Sequence, residues 1–236
     1  MSPEPENTRP LVARLVEATV EIPLRGFRHN GAAASDPRIF RSKDGGWKLR
    51  ALDRVSLDIH RGDRLGISGA NGSGKTTLLR VLGGLLPLAS GRIEHYGTVR
   101  PLISIGAGLV PALSGRQNVA LQYDLLGIRT MPLREFTENV VEFAGIGDFF
   151  GMPVSTYSPG MTTRLQFAVN TVEPSDLLLL DEWIGVADEA FYQKAQDRLQ
   201  DFISRNEALV CASHNKVLLD MLANRRVTVN AGILEF

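Results

Sequence analysis

One octapeptide limits this chain more than any other stretch: Gly69-Ala70-Asn71-Gly72-Ser73-Gly74-Lys75-Thr76. It satisfies G-x-x-x-x-G-K-[ST] at every fixed position. Arg64 to Ser68 reads as a short strand leading in, and Lys75 to Leu86 as a helix leading out, stopped by Pro87. Glycines let such a loop fold so tightly that its N–H groups converge on phosphate oxygens, and the helix N-terminus adds partial positive charge. Lys75 is placed to reach the β- and γ-phosphates of a nucleotide. The Thr76 hydroxyl is placed to ligate Mg2+, with Thr77 beside it. The pattern implies a bound nucleoside triphosphate and leaves the reaction open.

A second acidic feature lies downstream. Leu177 to Leu180 is a continuous apolar run, the pattern of a buried parallel strand, and it ends in Asp181-Glu182. In open α/β sheets ligands sit beyond the carboxyl ends of the strands. Asp181 can then serve Mg2+, and Glu182 can polarise an attacking water as general base. Any buried strand must end in something polar, so the pair gains meaning only beside the phosphate loop. Between the two motifs stands Tyr157-Ser158-Pro159-Gly160-Met161. Ser158 suits a helix N-cap, Pro159 the first helical turn, and Gly160 removes bulk there. An exposed helix N-terminus with a hydroxyl would be a second anion site. Taken alone, an ordinary capped helix has the same appearance.

The remaining chain fits around these motifs. Val12 to Ile22 is β-branched and reads as a strand or two; Gly26 to Gly46 reads as a surface insertion. Val55, Leu57 and Ile59 alternate with polar residues as in a half-buried strand. Gly91 to Ile105 reads as strands, Ser114 to about Val172 as helical with glycine breaks, Ala190 to Ser204 as an amphipathic helix, and Ala208 to Ala212 as a buried strand. The expected fold is α/β: a mixed-sheet core at about 47–236 with a helical subdomain inserted at about 114–173, preceded by an N-terminal strand region at 1–46.

Composition excludes several classes. The 26 basic and 26 acidic residues balance, which disfavours a nucleic-acid partner. A lone Cys211 allows no intrachain disulfide. No apolar run approaches the ~20 residues of a membrane span, so a membrane link is expected to come through a partner.

The succession of phosphate loop, capped helix, apolar strand with Asp-Glu, and then Ser213-His214 resembles the ABC ATPase family over about residues 47–230. The family signature is usually Leu-Ser-Gly-Gly-Gln; Tyr157-Ser158-Pro159-Gly160-Met161 departs from it at three of five positions. With Leu113 to Asn118, Arg164 to Val169, Asp181-Glu182-Trp183 and Val20-Glu21-Ile22-Pro23, it is more similar to the ATPases of polysaccharide exporters, of the O-antigen, capsule and teichoic-acid types.

That resemblance implies an ATPase with ATP and Mg2+ as cofactors. It implies a head-to-tail homodimer in which Ser158 and Gly160 of one copy contact the γ-phosphate held by the other. It implies Glu182 as base, His214 as the switch that senses the γ-phosphate, and Asp188 in the loop that touches the opposite subunit. Adenine usually stacks on an aromatic upstream of the phosphate loop; Trp47 is the first candidate and Phe27 the second, unless Trp47 simply packs on its strand. Most members carry Gln where the core joins the helical subdomain; Ser104 stands near that place and would meet the metal through water or weaken the contact. The implied partner is a separate ABC-2-type permease, with this chain on the cytoplasmic face of the plasma membrane. With the sequence ending at Phe236, the lipid-linked glycan is expected to be bound by the permease. The alternatives are an ABC ATPase exporting a lipid or drug, and a non-transport ABC ATPase acting on DNA or the ribosome.

Overall fold

The structure, a computed structural model, describes residues 9–27, 36–103, 108–181, 189–213 and 215–236. Its contacts divide the chain into two compact units. One takes Met1–Ile103, Ser175–Glu182 and Glu207–Phe236; the other takes Ser104–Pro174 and Trp183–Asn206.

The first unit holds two sheets. The antiparallel sheet has the order β2-β3-β1-β5, from β1 (Leu11–Pro23), β2 (Ile39–Arg41), β3 (Trp47–His60) and β5 (Ser90–His95). β1 and β3 are long strands whose register slips between Leu15 and Ala18, where Glu17 and Arg54 take left-handed φ values of 48° and 46°. The segment read as a surface insertion thus contributes a strand: β2 pairs with β3, and β1, β2 and β3 share one sheet across residue 46.

The second sheet has the order β10-β9-β4-β8-β7-β6. It joins β4 (Arg64–Ser68), β6 (Val99–Leu102), β7 (Leu177–Asp181), β8 (Ala208–Ala212) and β9 (Arg225–Asn230) in parallel, with β10 (Ile233–Glu235) antiparallel at the edge. Leu177 to Leu180 and all of β8 are buried, as continuous apolar runs in a parallel sheet require. Helix α1 (Lys75–Leu82) packs Leu78, Leu79, Val81 and Leu82 into this core. It ends four residues before the sequence expectation because Gly83 and Gly84 follow, Gly84 with φ 68°. Helix α6 (Lys216–Leu222) lies on β4. Buried Asp63, in the β3–β4 turn, takes Arg9 Nη2 at 2.7 Å, the His60 N–H at 3.0 Å and Arg225 Nη1 at 3.4 Å.

The second unit is helical: α2 (Gly115–Leu125), α3 (Leu133–Ala144), 3-10 turns at Gly147–Gly151 and Val154–Thr156, α4 (Pro159–Asn170) and α5 (Glu189–Arg205). The helical block read from sequence lies inside it, together with α5. Ser114 and Gln117 form a reciprocal capping box at the start of α2. Fully buried Asn118 binds the preceding loop: its amide donates to the Val110, Leu113 and Ser114 carbonyls, and its oxygen accepts from the Val110 N–H. Phe143, Phe167 and Phe191 meet ring to ring at 5.2–6.2 Å. Over Phe143 lies Arg198, which donates to Thr171 Oγ1 and Asn139 Oδ1. Burial, with Arg205 nearby, lowers its guanidinium to about 10, still charged at neutral pH.

Cys211 sits inside β8, and burial pushes its thiol up to about 11. A thiol so protected should not react with a disulfide reagent in the native chain at pH 8 and should react fully in denaturant. Rapid labelling of the native chain, followed by absorbance, would contradict that placement.

Candidate functional site

The phosphate loop runs from the carboxyl end of β4 to the first residue of α1. Two of its glycines are dictated by close approach. A Cβ on Gly69, whose φ is 146°, would overlap the Val229 carbonyl oxygen; one on Gly74, at φ 119°, would lie 2.7 Å from the Ala51 carbonyl oxygen. No other residue type lets the backbone lie this flat against β3 and β9.

Lys75 is buried to 8 % exposure, and its ammonium donates to the Gly69 carbonyl at 2.8 Å and the Ala70 carbonyl at 3.0 Å. The amine is therefore folded over the loop that it serves. Ser73 is buried at 6 % exposure, and its Oγ has no partner among the described residues. A buried hydroxyl without a partner is costly, and an anion oxygen would relieve it.

A cavity of about 550 Å³ opens beside this loop. Asn71, Gly72, Gly74, Lys75, Thr76 and Thr77 form one wall. Asp181, the last residue of β7, and Thr76 both line the cavity, and a carboxylate with a hydroxyl is a donor set that suits a divalent cation. The glycine cradle, the unpartnered Ser73 hydroxyl and this oxygen pair all fit Mg2+-nucleotide.

The rest of the wall is aliphatic: Ile22, Leu49, Ala51 and Ile103. Trp47 does not line it; its ring meets Phe27 edge to face at 5.7 Å. Leu49 and Ala51 both line the cavity, and Ile22 is the cross-strand partner of Leu49. The β1–β3 ladder slips between Arg50 and Leu52, so strict alternation along β3 gives no signal for this wall. The sequence reading also missed Arg38, whose Nη1 donates to the Gly72 carbonyl at 2.8 Å.

The Tyr157–Met161 motif lies in the second unit. Ser158 caps α4, its Oγ accepting from the Met161 N–H at 3.2 Å, and Pro159 occupies the first turn. Ser158 is exposed, and a Cβ on Gly160 would find only Ser158 Oγ, at 3.9 Å, so the helix end is open. Tyr157 has a structural task. Its hydroxyl donates to the Phe149 carbonyl at 2.7 Å, closing the chain onto the helix start, and burial pushes its phenol up. Ser104, Glu182, Asp188 and His214 lie outside the described residues.

The site and the sheet order define a P-loop nucleotide-binding ATPase. A family model for the ABC transporter matches residues 52–185. The O-antigen export system ATP-binding protein RfbE of Yersinia enterocolitica is 41 % identical over 186 residues, 79 % of this chain and 78 % of that one. The teichoic acids export ATP-binding protein TagH of Lactiplantibacillus plantarum is 36 % identical over 188 residues, 80 % of this chain. The chain spans 51 % of that relative's length and 54 % of its counterpart in Listeria monocytogenes. A solved ATP-binding subunit of an ABC transporter superposes with TM-score 0.67 at 14 % identity, over 95 % of this chain and 88 % of that one. A dimeric ATP-binding cassette in a post-hydrolysis state, bound to ADP and Pi, gives 0.64 at 18 % identity, over 95 % and 97 %. The chain belongs to the ABC transporter family, as an ATP-binding and ATP-hydrolysing member. Among the described residues, no helix is long and apolar enough to cross a membrane.

Replacing Lys75 by Ala removes the ammonium held over the loop and should weaken ATP binding about 100-fold or more. Calorimetry showing an unchanged affinity would refute the assignment of the loop.

Proposed function

We propose that this chain is the ATPase subunit of an exporter that moves a lipid-linked polysaccharide across the plasma membrane. On this reading it works as a homodimer on the cytoplasmic face, bound to a separate ABC-2-type permease that holds the glycan. The observation that carries the nucleotide half is that Lys75, Thr76 and Asp181 line one cavity beside the glycine loop. The glycan half is supported by the relatives, whose names specify O-antigen and teichoic-acid export.

The chemistry follows from the residues. Loop N–H groups and Lys75 bind the phosphate oxygens, the ammonium leaving the Gly69 and Ala70 carbonyls. Aliphatic Ile22, Leu49 and Ala51 give the base an apolar wall. Mg2+, held by Thr76 and Asp181, would neutralise charge on the β- and γ-phosphates when bound. Glu182, one residue past Asp181, accepts a proton from water as the water oxygen attacks the γ-phosphorus. The bond to the bridging oxygen breaks, and ADP and phosphate are the products. His214 follows Ser213 and monitors the γ-phosphate. The open helix start at Ser158 supplies donors to the γ-phosphate of the partner copy, and Asp188 is assigned to the loop that touches that copy. Ser104 would meet bound metal through water, or the contact there is weakened. The adenine contact is assigned to Leu49 and Ile22 rather than to Trp47.

Two outcomes test this reading. Glu182→Gln should keep ATP affinity within about threefold and accumulate an ATP-bound dimer, since binding survives while proton transfer is lost. Gel filtration with ATP showing monomer alone would count against the sandwich. A tagged chain recovered from its native membranes should bring down a polytopic permease, and loss of the chain should leave lipid-linked glycan on the cytoplasmic leaflet. Normal surface glycan in its absence would remove the export assignment.

A further inference from the structure

Arg38 lies in the segment between β1 and β3, outside every motif of the nucleotide site. Three sets of contacts fix it. Its carbonyl accepts the Arg50 N–H at 2.8 Å, extending the β2–β3 ladder by one residue. Its own N–H donates to Asp36 Oδ1 at 3.0 Å. Its guanidinium grips the same carboxylate in a fork, Nε to Oδ1 at 3.0 Å and Nη2 to Oδ2 at 2.7 Å. Asp36 is thereby held below the usual carboxylate range, with the Arg38 side-chain bonds as the main cause. One nitrogen remains, Nη1, and it donates to the Gly72 carbonyl of the phosphate loop at 2.8 Å.

We propose that Arg38 is a positioning residue for nucleotide phosphate, acting through the Gly72 carbonyl. The peptide group is planar and trans, so fixing a carbonyl fixes the N–H on the opposite edge. With the Gly72 carbonyl held, the Ser73 N–H is turned into the loop, where it meets the Ala70 carbonyl at 3.2 Å. The next plane is held in the same way: the Gly232 N–H donates to the Ser73 carbonyl at 2.8 Å, which fixes the Gly74 N–H on the opposite edge of that plane. Two consecutive peptide planes of a glycine-rich loop are therefore held by donors from outside it. Glycine makes the loop cheap to bend and equally cheap to misalign. An external clamp removes that freedom before phosphate arrives, and preorganisation of this kind appears as affinity.

Orientation and plain charge make opposite predictions at Asp36. Neutralising Asp36 leaves more net positive charge beside the loop, which by Coulomb attraction alone would tighten a polyanion. It also releases the fork that aims Nη1, which loosens the clamp. This inference rests on the nucleotide reading of the cavity, and ADP calorimetry on the full chain separates the two. Arg38→Ala should raise the ADP dissociation constant about tenfold, the loss expected when one charge-assisted hydrogen bond is removed. Arg38→Lys should recover part of it, and Asp36→Asn should weaken binding about threefold. The nucleotide-free melting temperatures should stay within about 3 °C of the parent. An Arg38→Ala chain that binds within twofold of the parent, or an Asp36→Asn chain that binds more tightly, overturns the clamp and leaves the nucleotide site standing. A parent chain that binds no ADP overturns both.

Discussion

The glycine loop rests directly on the backbone of two strands, and most of the site follows from that approach. At Gly69 the neighbour is the Val229 carbonyl of β9; at Gly74 it is the Ala51 carbonyl of β3. Because β9 belongs to the parallel sheet and β3 to the antiparallel one, the loop is seated where both sheets of the first unit reach it. The same contact brings Ala51 and Leu49 to the edge of the cavity and keeps Lys75 buried at its floor. Asp181 arrives independently, at the end of a strand too apolar to be anything but central.

The second unit meets a different constraint, the ordering of the chain that leads into its helix starts. Asn118 satisfies three carbonyls and one N–H of the loop before α2, and Tyr157 anchors the turn before α4 through the Phe149 carbonyl. Buried polar groups that are fully paired specify one backbone path, because every alternative leaves donors or acceptors stranded. Ser158 can therefore stand exposed and still have a defined position.

The sequence was most legible where covalent geometry and burial leave one solution. The phosphate loop, the β7 run ending at Asp181 and the β8 run were all readable, since glycine spacing and unbroken apolar stretches have few other uses. Helix α1 ran short of the expected end because two glycines outweighed the apolar pattern that continues to Leu86. β2 was missed for a plainer reason: three residues amid Gly, Ser, Asp and Lys carry no period, and only pairing with β3 makes them a strand. Leu49 and Ala51 beside the cavity carried no such signal, because the β1–β3 register slips between Arg50 and Leu52 and breaks the alternation there. The contact of Arg38 with the phosphate loop had no local signal, because Gly72 is 34 residues away.

The buried Lys75 ammonium bonded to the Gly69 and Ala70 carbonyls has a bearing on turnover. A cation stranded in a dry pocket would cling to any phosphate that entered, and spent product would leave slowly. On the proposed reading the amine trades one set of oxygens for another. Entry gains less than a naked charge would give, and departure costs correspondingly little. For a motor that must empty its chamber on every stroke, a resting perch for the lysine favours the return half of the cycle as much as the power half.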